Sequence, residues 1–206
     1  MGGAGPLVYR GAAPSNLPEA ARPNQSILSF HLASAIVPLV GLLVGGTMMG
    51  LGLVGIDPGD APGGLFFGGV GIMCLGFLGW MVGAILKMVW FYQIWSWIPP
   101  SHRATKSWSG GMTPAFAALG HLIPYFNIYW AFAATFATCD ALEALSAQYT
   151  PGRVSPRNTG TAMAICSIIM FPLAPFFMHA FMKDIGKMAE QIDGERSRVG
   201  SLGPGF

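Results

Sequence analysis

Four stretches of the chain run apolar with almost no polar interruption: 27–56, 65–98, 115–139 and 161–182. Each reaches the roughly 20 residues that a helix needs to cross the hydrocarbon core of a bilayer. The pattern predicts an all-α integral membrane protein, a bundle of four transmembrane helices over 27–193. The polar, Gly/Pro-rich head, 1–26, lacks hydrophobic periodicity and the charged start and short apolar run of a signal peptide, so it reads as an irregular tail. Past the fourth stretch, Ile185, Met188, Ala189 and Ile192 recur at helical spacing. That helix should continue to about residue 193 with one apolar face, covered by the chain's own core or by a partner subunit. Residues 194–206 are expected to form a flexible tail.

Local signals refine the elements. Thr113-Pro114 is a helix start, Thr as N-cap and Pro at the first helical position. Pro38, Pro124, Pro172 and Pro175 interrupt helices one, three and four, each removing an amide and predicting a kink. The second stretch is longer than a bilayer requires, so its end, from Lys87 through Trp90, Tyr92, Trp95 and Trp97, is expected to pass the headgroup zone as an aromatic belt.

The first two stretches also share a glycine pattern. Gly41, Gly45, Met48, Gly52 and Gly55 lie at spacings of three and four, as do Gly69, Ile72, Gly76, Gly79 and Gly83, and such spacings line one helix face. An antiparallel hairpin turning at Pro62-Gly63 would pair Gly41 with Gly83, Gly45 with Gly79, Met48 with Gly76, Gly52 with Ile72 and Gly55 with Gly69. Helices one and two are therefore expected to pack closely through a glycine seam. The same groove would also admit a flat lipid or pigment.

Composition agrees with the pattern: 52% of residues are hydrophobic and 10% charged, outside the range of water-soluble folds. The net charge of +2 is spread thinly, without a basic run, so nucleic acid is not an expected partner; membrane lipids and other membrane subunits are. Arg10, Arg22, Lys87, Arg103, Lys106, Lys183, Lys187, Arg196 and Arg198 fall on one side of a four-crossing bundle, and Arg153 and Arg157 on the other. The positive-inside rule then puts both termini in the cytoplasm.

Chemistry is sparse. No Asp or Glu lies within the four stretches, although Asp140 follows the third at once; this weakens a proton- or sodium-coupled transporter. His31, His121 and His179 fall in one leaflet of the bundle and are the candidate cofactor ligands, able to hold a transition metal, a haem or a chlorophyll-type pigment, or simply to hydrogen-bond a neighbouring helix. Asn127 is the most polar residue well inside helix three, either as interhelical glue or as a ligand contact. Cys74, Cys139 and Cys166 lack metal spacing, and a Cys139–Cys166 disulfide is left open by the sequence. HExxH, GxSxG and any clustered acid/base set are missing, so no enzyme is expected.

Tyr92-Gln93-Ile94-Trp95-Ser96-Trp97-Ile98-Pro99, then Thr113-Pro114, then Ile123-Pro124-Tyr125-Phe126-Asn127-Ile128-Tyr129-Trp130, resemble a family of uncharacterised small bacterial membrane proteins with a YxxWxxI, Thr-Pro and IPFFNxYW pattern. The resemblance covers about residues 90–150 and rests on motif residues such as Pro124, Asn127, Tyr129 and Trp130. It implies a bacterial inner-membrane setting and no particular activity. The expected function is a non-catalytic membrane subunit that scaffolds or stabilises a larger complex. A histidine-ligated cofactor subunit and a small transporter or channel are the alternatives.

Overall fold

A computed structural model of the chain describes residues 25–54, 63–123, 126–149, 155–169 and 173–201. Gly55, Pro62, Pro124 and Pro172 lie outside these, as do residues 1–24 and 202–206 and the side chain of Asn127. The regular structure described is all helical. Helix α1, Gln25–Val40, passes through a π turn, Gly41–Gly45, into α2, Gly46–Leu53. Pro38 lies just before the π turn; it has no amide for the carbonyl four residues earlier, and the widened turn follows where the ladder is already interrupted. Helix α3, Gly64–Trp97, returns antiparallel over 34 residues, about 50 Å.

Two helices among the described residues, Ser26–Leu53 and Gly64–Trp97, are long and apolar enough to cross a membrane. A soluble core helix would be buried along such a stretch, yet only 28% and 11% of the most apolar windows are. Leu43, Leu51, Phe67, Leu75 and Phe77 point outward, a surface suited to lipid and costly in water.

The remaining elements are α4, Pro114–Leu119, with a 3-10 turn Gly120–Leu122; α5, Phe126–Tyr149; α6, Arg157–Ile169; and α7, Ala174–Ser201. Thr113 caps α4 as expected, its hydroxyl accepting from the Phe116 amide at 3.2 Å. The stretches 115–139 and 161–182, however, are not single helices. Trp130 Nε1 donates to the Ala117 carbonyl at 3.1 Å, although one helix would hold these residues about 20 Å apart. Thr159 Oγ1 donates to Asp184 at 2.7 Å, where one helix would separate them by about 37 Å. The chain therefore reverses between Ile123 and Phe126 and again between Ile169 and Ala174. Pro175 sits in the first turn of α7, where a missing amide costs nothing.

These helices pack around the end of α3. Trp90, Phe91, Ile94, Trp95 and Ile98 are buried together with Trp130, Leu142, Phe181, Ile185 and Ile192. The expected aromatic belt is thus largely an internal core, and of its members Tyr92 is the exposed one. Indole N–H groups inside need partners, and two have side-chain acceptors: Trp95 donates to Thr138 Oγ1 at 3.0 Å and Trp97 to Asp193 at 3.2 Å. The apolar face of α7, Ile185, Met188, Ala189 and Ile192, is covered by the chain itself. Helix α7 also runs on to Ser201, past the flexible tail expected from 194. Ser197 bonding back to the Asp193 carbonyl and an Arg198–Glu195 pair stitch that last stretch. All three cysteines are free thiols.

Asp140 holds this half together. Its carboxylate accepts from the Ser107 amide at 2.8 Å and the Ser107 hydroxyl at 2.7 Å, and from the Arg157 guanidinium, with which it also forms an ion pair. Arg157 Nε reaches Glu143 at 3.2 Å, and Ser155 donates to the same carboxylate. Burial pushes the Asp140 carboxyl upward, but the Ser107 and Arg157 donors outweigh it and hold it below the usual carboxylate range. Glu143 behaves likewise: burial raises it, and Arg157 with Ser155 brings it lower than normal. Carboxyls depressed in the fold contribute stability above their unfolded value, and that contribution is lost as pH falls through the folded value. Replacing Asp140→Asn should cost about 2 kcal/mol at neutral pH. The variant should also lose less on acidification below about pH 4 than the wild type, as read from thermal unfolding in detergent across pH.

Candidate functional site

The glycine-bearing faces of α1–α2 and α3 meet backbone to backbone. A Cβ placed on Gly41 would lie 2.8 Å from Gly76 Cα, and one on Gly52 would lie 2.6 Å from the Phe66 amide nitrogen. Gly45 and Gly69 oppose each other reciprocally: the side-chain position of each points at the other's carbonyl oxygen, at 2.7 and 2.5 Å. The hydrogens there are directed for paired Cα–H···O contacts. Gly79 receives the Val37 side chain and Gly83 the Ser34 hydroxyl.

The faces match the sequence pattern, but the register does not. Gly41 meets Gly76 rather than Gly83, Gly45 meets Gly69 rather than Gly79, and Gly52 meets Phe66 rather than Ile72. Moving from Gly83 to Gly76 is seven residues, two helical turns, which returns the same face to its partner. Spacing on a helix fixes which face packs and leaves the slide along it to the connection. Here α2 ends at Leu53 and α3 begins at Gly64, a longer link than a tight turn at Pro62-Gly63.

Of the motif residues, Trp130 is fully buried, with Phe126 stacked on it at 5.3 Å and Phe116 edge-on at 4.6 Å, while Tyr129 is exposed. The motif's buried aromatics serve packing: they seat α5 against α4 and the end of α3.

The histidines gather around a residue that the sequence pattern had assigned only to the headgroup zone, Lys87. His31 and Ser34 lie one turn apart on α1, and Ser34 touches Gly83, one turn before Lys87 on α3. His179 Nδ1 donates to the Leu28 carbonyl at 3.1 Å, which brings α7 to the turn of α1 just before His31. On the other flank, the His121 ring packs on Phe91 at 4.9 Å, one turn beyond Lys87, and its Nδ1 bonds the Ala118 carbonyl at 3.2 Å. His31 is within electrostatic range of both His179 and Lys87, and His121 of Lys87. Lys87 is the one charged side chain in the whole of α3, the signal that could have singled it out. His31 is 4% exposed, and its Nδ1 has no hydrogen-bond partner. The three imidazoles do not converge as ligands: no group of three His, Cys, Asp or Glu among the described residues is arranged to hold a metal ion.

The seam makes a sharp comparison available within one helix. Gly69→Ala drives a methyl into the Gly45 carbonyl and the Met49 backbone and should cost about 1–3 kcal/mol of overpacking. At Gly71, nothing lies within 4 Å of an added Cβ, so Gly71→Ala should be neutral or slightly stabilising; unfolding of the two variants in the same detergent checks both. Compared with family models, with curated proteins and with solved structures, the chain matches none of them.

Proposed function

We propose that the chain is a non-catalytic integral membrane subunit that scaffolds or stabilises a larger complex of the bacterial inner membrane. In this reading α1–α2 and α3 cross the bilayer as one hairpin, and α4–α7 lie against its cytoplasmic face. The proposal departs from a four-crossing bundle because the Ser107–Asp140–Arg157 contacts join connections that four crossings would leave on opposite sides of about 30 Å of hydrocarbon. The charge distribution supports it. With two crossings, all 11 Lys and Arg residues belong to one side or its membrane edge, and the opposite connection carries only Asp57 and Asp60. The positive-inside rule then puts both termini in the cytoplasm.

The observation that carries the scaffold reading is how the hairpin distributes its side chains. The glycines of its seam are used inward, while its outer face is broad, apolar and exposed. That face includes a shallow groove between α2 and α3 lined by Met49, Val70, Met73, Cys74, Phe77 and Leu78. A membrane helix of another subunit is the occupant that suits it, since close van der Waals packing drives such association in lipid. Extraction in mild detergent followed by mass spectrometry should recover the protein with a stoichiometric membrane partner. A thiol-reactive crosslinker on the exposed Cys74 should join the two in intact membranes. Recovery of the protein alone, with no Cys74 adduct to another chain, would contradict the reading.

A further inference from the structure

We propose that Lys87 and the buried ring of His31, flanked by His121 and His179, form a binding site for a phosphate group. The site combines two costs that a phosphate would relieve together. Lys87 is partly buried in an otherwise uncharged helix, and none of the ion pairs among the described residues includes it; a partly desolvated cation gains from a counter-charge beside it. The buried His31 Nδ1 has no partner, which costs the desolvation of that atom. The two groups share one face of the α1–α3 contact, because Ser34 and Gly83 touch in the turn between them. His179 and His121 flank this pair and commit their Nδ1 protons to the Leu28 and Ala118 carbonyls, so Nε2 of each neutral ring is an acceptor and donates only where the ring takes up a second proton. A tetrahedral oxyanion can take a charge-assisted contact from Lys87 and a hydrogen bond from the Nδ1–H tautomer of His31. A metal cation, by contrast, would meet the Lys87 ammonium.

The position identifies the membrane edge as the source. Ile85 and Val89 on α3, Phe30 on α1 and Leu122 and Ile123 beside His121 are all exposed apolar side chains, while the buried core begins at Trp90. The cluster thus lies where the apolar surface of the hairpin meets the packed half, the level at which anionic headgroups lie. The lipid source rests on the hairpin being the membrane segment; a free phosphate would need only the cluster.

The test uses the full chain in mild detergent. Thermal stabilisation is titrated with phosphatidylglycerol, with a diacylglycerol of the same acyl chains, and with inorganic phosphate, and lipid retention is followed by native mass spectrometry. Phosphatidylglycerol should stabilise the protein and stay bound, whereas the diacylglycerol should do neither. Lys87→Gln should weaken the response about tenfold to a hundredfold, and Lys87→Arg should keep most of it. Because the readout is the ligand-induced shift, a change in the basal stability of Lys87→Gln does not confuse it. His31→Phe should weaken the response independently. Saturation by millimolar inorganic phosphate without lipid would retain the site and assign it a soluble source. A wild type that responds to neither phosphate source, as when a carboxylate of another subunit fills the cluster, would overturn the proposal, as would equal responses from wild type and Lys87→Gln. Failure of the membrane reading would appear separately, as a chain that stays soluble without detergent.

Discussion

Asp140 accepts hydrogen bonds from Ser107 and Arg157 at once, and no bilayer can lie between groups in hydrogen-bond contact. Much of the architecture depends on that constraint. Once the connection before α4 and the start of α6 are tied to the same carboxylate, α5 has to return to the side from which α4 set out. The apolar stretches on either side then have to double back. Donors from the connection before α4 and from the start of α6 meet the α5 carboxylates there, with buried alanines and leucines of α5 behind them.

The hairpin is held differently. Between α1–α2 and α3 there is little side-chain interdigitation at the closest points; the backbones themselves touch at Gly41 and Gly76 and at Gly45 and Gly69. In lipid, where apolar burial between helices gains little over contact with acyl chains, close dispersion contact and Cα–H···O geometry are what remain to favour association. The large side chains are displaced outward, giving the hairpin its exposed apolar face. One end of α3 emerges from this face into a conventional core of tryptophan, phenylalanine and isoleucine, two of its indoles with side-chain acceptors. The His31–Lys87–His121–His179 cluster sits at the junction of the two regimes, where polar groups are buried by protein beside an exposed apolar surface.

Much of this was legible in the sequence, and the limits have physical causes. The first two crossings and the glycine faces follow from length and spacing, and the Thr113 cap follows from its dipeptide. Hydropathy could not separate a crossing from a helix pair folded back on itself, because a stretch such as Thr161 to Met182 has the same apolar count whether straight or reversed. The register slipped by two turns at Gly41 because a seven-residue shift leaves a helix face unchanged. The tryptophans at the end of α3 were expected against headgroups, since amphipathic rings suit that layer as well as they suit a core. Histidine positions were visible, but their common neighbour Lys87 was not, because rotation about each helix axis decides who faces whom.

The account rests on the two connections around Asp140 lying on one side of the membrane. Single cysteines placed at the exposed positions Lys106, Asn158 and Gly63, in a background without Cys74, Cys139 and Cys166, report this directly through labelling with a membrane-impermeant maleimide in right-side-out and inverted vesicles. Lys106→Cys and Asn158→Cys should label from the cytoplasmic face and Gly63→Cys from the opposite one. Labelling of positions 106 and 158 from opposite faces would contradict the account.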